Sequence, residues 1–194
     1  MKIIEPVGEG VMFIAWAEAE RGSMANRGIA LPESPTPDQA REALEFARGT
    51  RDADWGMFVG WPDDVKWSRA TATVAEIGEF RHCGYWTFRV LTNDTRFPRD
   101  AASTLANGTL TADDHNAEIM DLRRIVPEIA SAVGDGHRPE PLIAVRNAED
   151  GKPVIAEGNK RSIAYQHAFP PEAEIEILFG TSPNMANWRF YNFA

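Results

Sequence analysis

Residues 141–180 read PLIAVRNAEDGKPVIAEGNKRSIAYQHAFPPEAEIEILFG, and the turn chemistry of this stretch decides the fold class. Leu142 to Arg146 and Pro153 to Glu157 are two short runs rich in β-branched residues. Asn147–Gly151 separates them with the Asn, Asp and Gly content of a hairpin loop. From Gly158 a helical pattern runs through Ile163, Ala164 and His167 until Pro170-Pro171 stops it. Glu174 to Gly180 alternates, with Ile175, Ile177 and Phe179 on one face and Glu174 and Glu176 on the other, which predicts a strand. The order is therefore hairpin, glycine, helix, strand. Lys160 and Arg161 fall in the first turn of that helix. Unpaired N–H groups and a partial positive charge make a helix start attractive to anions and unfavourable for cations. Two adjacent cations there make sense where a phosphate is held.

The hairpin, the Glu157-Gly158-Asn159-Lys160-Arg161 turn, the helix and the EIEIL strand resemble the ParB/sulfiredoxin-like superfamily. Gly158 and Arg161 match positions shared by its partition proteins, sulfiredoxins and free serine kinases, and Glu157 matches an acid of the last group. Upstream, an amphipathic helix, a glycine turn and Pro-Leu-Ile-Ala-Val-Arg follow the family's order; the resemblance covers roughly Val90 to Gly180. It implies an α+β fold. A ParB/sulfiredoxin-like core with a small mixed sheet flanked by helices would span residues 88–194, and residues 1–87 would form an N-terminal extension packed on it.

The resemblance also implies a site. Gly158 lets the backbone approach a phosphate, Asn159 and Ser162 donate hydrogen bonds, and Lys160 and Arg161 bind phosphate oxygens. Glu157 is the expected metal ligand or base, with Mg²⁺ and a nucleoside triphosphate (ATP or CTP) as cofactors. Thr92 to Arg96 is a polar turn placed like the family's first conserved box, so Asp94, as a catalytic residue, and Arg96 would line the same pocket. Arg146 matches the arginine that closes the family's Val-Arg strand. The plain alternative is that each of these is an ordinary turn or edge residue.

Departures narrow the choice. Asn159 stands where sulfiredoxin chemistry needs a cysteine, and with only 33 residues after Arg161 no helix-turn-helix domain is expected to follow. The 29 acidic against 20 basic residues give a net charge of −9, which disfavours nucleic acid as a partner. The one cysteine, Cys83, excludes an intramolecular disulfide and a multi-cysteine zinc site. No apolar run approaches the ~18 residues of a membrane span, and residues 1–5 lack the shape of a signal peptide, so the expectation is a cytoplasmic protein with no membrane partner.

Elsewhere, Val11–Trp16 reads as a buried strand, with a short helix as the alternative. Thr36-Pro37-Asp38-Gln39 and Thr73 with Glu76 are capping boxes. Trp55, Trp61 and Trp67 fall in a loop-rich segment and predict a small core or interface more than a ligand-stacking ledge. Trp86, Phe88 and Val90 alternate as a strand. Asp100 to Ala106 predicts a short helix, and Thr111 caps a long one that Pro127 should kink or split. Asp113, Asp114, His115 and Glu118 have a metal-ligand composition, but acids at a helix start follow from the dipole alone. His82-Cys83 reads as a buried thiol beside a histidine. The aromatic tail from Trp188 to Phe193 is expected to fold back on the domain.

Three functions are consistent with this reading. The first is nucleotide-dependent phosphoryl transfer, by a nucleoside triphosphatase or small-molecule kinase. The second is a non-catalytic module binding a nucleotide or protein partner, such as an antitoxin, inhibitor or phage-related factor. The third is a ParB-like nuclease, which the charge argues against.

Overall fold

The structure is a computed structural model describing residues 1–50, 54, 56–108, 117–148 and 151–191. In chain order the elements are β1 (Lys2–Val7), α1 (Glu9–Ala25), α2 (Pro37–Arg48), β2 (Lys66–Thr73), α3 (Val74–Gly78), β3 (Arg81–His82) and α4 (Trp86–Leu91). They continue with α5 (Pro98–Asn107), α6 (Ala117–Gly134), β4 (Leu142–Asn147), β5 (Val154–Glu157), α7 (Asn159–Ala168) and β6 (Glu174–Ser182), before a 3-10 turn at Met185–Asn187. The strands form one six-stranded sheet in the order β1-β2-β6-β4-β5-β3. β1–β2, β2–β6 and β4–β5 pair antiparallel, whereas β4–β6 and β3–β5 pair parallel. The fold is α+β, a mixed sheet flanked by helices.

The hairpin, α7 and β6 form where the turn chemistry predicts them. Both faces of the sheet's centre are covered, so successive residues feed different cores. Ile143 and Val145 of β4, Val154 and Ala156 of β5 and Leu178 of β6 join the cluster containing Met12, Trp16, Leu44 and Trp188. Leu142, Ala144, Ile155, Ile177 and Phe179 join the other, with Val74, Ile77 and Tyr165. Trp61 and Trp67 are buried in the first cluster and stack at 6.3 Å, and Trp61 meets Trp188 edge-on at 4.9 Å. These two tryptophans are core, and the tail through Tyr191 folds onto them.

Both capping boxes are present, at Thr36–Gln39 and Thr73–Glu76. α2 lays Ala40, Ala43, Leu44 and Ala47 against α1 and keeps its other face in solvent. Three local expectations are corrected. Val11–Trp16 lies inside α1, because its flanks (Glu9, Ala17, Glu18, Ala19, Glu20) favour helix and the segment is buried on several sides. Trp86–Val90 is the helix α4, with Thr87 and Phe88 buried and Trp86 outside, so the alternation of aromatics was accidental. The residues after Trp61 are not all loop: Lys66–Thr73 is the strand that joins β1 to β6. Pro127 lies within α6 without splitting it. Trp55, Thr111, Asp113, Asp114, His115 and Phe193 fall outside the described residues, as does the Glu118 side chain. Among the described residues no helix is long and apolar enough to cross a membrane.

Candidate functional site

β5 ends at Glu157, and the chain turns into α7 through Gly158 at φ +89°. That left-handed conformation suits glycine. The space requires it as well, since a Cβ would stand 2.3 Å from Leu142 Cδ2 and 3.1 Å from Arg161 Nη2. Gly158 offers no side-chain cap, so the first N–H groups of α7 depend on other partners.

This turn borders a cavity of about 630 Å³, within the range of small-ligand pockets. Its walls come from distant parts of the chain. Trp16 and Glu20 stand on α1, Arg48 ends α2, Tyr85 and Phe88 come from the start of α4, and Ile129 and Val133 face in from α6. Residues 1–87, α4, α6 and the β5–α7 turn thus all contribute to the cavity wall.

Of the residues expected at a site, Glu157, Gly158, Asn159, Lys160 and Arg161 line this cavity. Glu157 keeps 23 % of its side chain exposed, and Arg161 Nη2 stands 3.4 Å from its Oε1. Burial raises the carboxyl above the usual range; Arg161 pulls it back down, and the Glu20 carboxylate pushes it up again. Arg161 also donates from Nη1 to the Glu140 carbonyl. Lys160 is half exposed, and its Nζ lies 3.7 Å from Asp121 Oδ2.

Asn159 has an inward task. Its Oδ1 lies 2.9 Å from His82 Nδ1 and accepts from the Cys83 N–H at 3.4 Å, while its Nδ2 donates to Cys83 Sγ at 3.4 Å. An amide oxygen can only accept, so His82 carries its proton on Nδ1, and its buried Nε2 has no partner. Burial lowers His82 to about 4 and pushes the Cys83 thiol up to about 12. His82 and Cys83 are therefore a neutral packed pair that anchors the α7 turn. Ser162 is fully buried and donates to the Asn159 carbonyl at 2.7 Å, so its hydroxyl points away from any phosphate at the turn.

Asp94, Arg96 and Arg146 are not among the described residues lining the cavity. Asp94 is exposed and pairs with Arg89 at 2.6 Å. Arg96 is buried and donates to the Tyr191 carbonyl at 3.1 Å, tying the Thr92–Arg96 turn to the tail. Arg146 lies over the Phe179 ring at 5.3 Å, toward the end of β4 remote from Glu157.

Glu20, Arg48 and Tyr85 carry no sequence signal that separates them from ordinary surface residues, because only the tertiary fold brings them here. Arg48 grips Glu20 with Nη2–Oε2 at 2.6 Å and Nε–Oε2 at 2.8 Å, and Trp16 Nε1 donates to Glu20 Oε1 at 3.2 Å. Burial works against the Arg48 charge, and pairing with Glu20 outweighs it. The Tyr85 phenol is raised by burial and donates to Met57 Sδ at 3.6 Å. Among the described residues no group of three or more His, Cys, Asp or Glu could hold a metal ion. The arrangement combines an uncapped helix start, guanidinium donors, aromatic walls and three carboxyl groups, Glu20, Glu128 and Glu157. Comparison with known proteins finds no matching family model, curated protein or solved structure.

Proposed function

We propose that the cavity binds a nucleotide, with its phosphates at the start of α7 and its ring among Trp16, Tyr85 and Phe88. One observation carries this reading: the uncapped N-terminus of α7, with Lys160 and Arg161 in its first turn, opens into an aromatic-walled cavity of about 630 Å³. The order of β4, β5, α7 and β6 supports a ParB/sulfiredoxin-like core as part of the same proposal. Phosphoryl transfer here would rest on positioning and on charge neutralisation by Lys160 and Arg161. Any Mg²⁺ would arrive on the phosphates. Glu157 and Glu20 already face arginines, and they offer at most two carboxylates, so the donor set does not make a resident metal site.

Calorimetry with ATP, CTP, GTP and ADP, with and without Mg²⁺, tests the proposal. Wild type should bind at least one at micromolar Kd, and Lys160→Glu should weaken it about tenfold or more, since it reverses a half-exposed charge at the helix start. No binding to any of the four overturns the reading.

A non-catalytic module that binds a protein partner is the second reading. Trp86 is 55 % exposed and Met120 46 %, and tryptophan is among the residue types enriched at interface hot spots.

A further inference from the structure

Glu157 and Glu20 line one cavity from different elements, one at the end of β5 and one on α1, near enough for the Glu20 charge to act on Glu157. Their surroundings differ. Glu20 is 7 % exposed at its side chain and fixed by two Arg48 nitrogens and the Trp16 indole N–H. Glu157 has one arginine contact at 3.4 Å, accepts from the Gly158 backbone N–H, feels the Arg48 charge, and opens on a cavity that Glu128, His137, Lys160 and Tyr85 also line. Environments that separate two carboxyl groups in this way assign them an acid role and an electrostatic role. Burial favours the protonated form of Glu157, as the acid role requires.

Such a pair is poorly matched to a phosphoryl group. Carboxylates repel the charge on its oxygens, so the pair adds nothing to the neutralisation of the phosphates by Lys160 and Arg161. It suits a centre that becomes cationic, which for a nucleotide is the sugar carbon bearing the base.

We propose that this cavity hydrolyses the N-glycosidic bond of a nucleotide, with Glu157 as the general acid and Glu20 facing the sugar. The inference rests on the nucleotide reading of the cavity. Glu157 gives its proton to the leaving nitrogen of the base as the C1′–N bond breaks. The carboxylate left on Glu157 and the fixed carboxylate of Glu20 then flank the cationic sugar. A water oxygen bonds to C1′, keeps one hydrogen as the new sugar hydroxyl, and returns the other proton to Glu157. The products are free base and a sugar phosphate, with no oxidant, reductant or further reactant.

Chromatographic detection of free base tests the inference, using the mono- and triphosphates of the four ribonucleosides and calorimetry on the same samples. Wild type should release at least one base. Glu157→Gln should still bind that nucleotide and release base about 100-fold or more slowly, the usual scale for losing a general acid. The wild-type rate should fall as pH rises and Glu157 loses its proton. Where Glu157→Gln fails to fold, this pH profile decides alone: a rate that does not fall with rising pH overturns the acid role. Binding without base release, or release unchanged in Glu157→Gln, overturns the inference and leaves nucleotide binding standing. Absence of binding overturns both.

Discussion

Arg48 Nη2 and Glu20 Oε2 meet at 2.6 Å, joining the end of α2 to α1 at the cavity wall. Glu20 is among the few buried charged residues, and Arg48 is its only cationic partner among the described contacts. Removing Arg48 strands a carboxylate in a place poor in water. Arg48→Met should therefore lower stability by about 1–3 kcal/mol, below the full cost of breaking a buried pair because Arg48 is 29 % exposed. The double variant Arg48→Met/Glu20→Gln should recover part of the loss in urea denaturation. A double variant no more stable than Arg48→Met would mean that the pair's charge is immaterial there.

Gly158 is the residue that allows β5 to enter α7. In Gly158→Ala the left-handed backbone alone costs about 1–2 kcal/mol, and the new Cβ would lie 2.3 Å from Leu142 Cδ2. The expected loss exceeds that range, read as a lower urea midpoint. Gly151→Ala is the control, since a Cβ there meets nothing within 4 Å, and its stability should change by less than about 0.5 kcal/mol.

These two sites also mark how far the sequence can be read. The Gly158 turn was legible because hairpin loop, glycine, helix and alternating strand are local patterns, each written in adjacent residues. Glu20 and Arg48 are not, because their value lies in a pairing across 28 residues and in lining one cavity with Glu157, at the end of β5. β2 is not legible for a local reason: KWSRATAT carries alanines at its buried positions Ala70 and Ala72, so its alternation has little hydrophobic contrast. β1 is an edge strand with Ile3 and Ile4 half exposed, and exposure removes the patterning that a core imposes. Asn159 and Ser162 lie in the first turn of α7, as their sequence position predicts, but their side chains serve His82, Cys83 and the helix backbone.

His82 should make stability depend on pH in a defined direction. It is buried neutral and lowered to about 4 from an ordinary 6.5, so the unfolded chain binds more protons between those values. Stability from this group is complete above about pH 6.5 and is lost as pH falls toward 4, with an upper scale of ~3 kcal/mol. Comparing wild type with His82→Gln across this window isolates the effect from other titrating groups. The wild-type midpoint should fall more steeply on acidification, and parallel curves would show that His82 does not titrate in this way.

Glu157 should act with the opposite sign. Its carboxyl is raised by burial, so the folded protein holds a proton that the unfolded chain has already released. This costs stability above the ordinary carboxylate range, and the cost grows until pH passes the folded value, then levels off. Glu157→Gln removes the ionisable group and keeps the shape. At pH 8 the variant should be as stable as wild type or more so, with the difference shrinking toward pH 4.5, the ordinary value. Losing the 3.4 Å contact with Arg161 works against this, but a long ion pair contributes little beside the desolvation of a carboxylate. A residue whose charge destabilises the fold while opening on a cavity has the character of a functional group, because activity is the usual reason such a cost is retained. Glu157→Gln less stable than wild type by more than about 1 kcal/mol at every pH would instead make Glu157 a structural partner of Arg161, and the acid role would lose its physical basis.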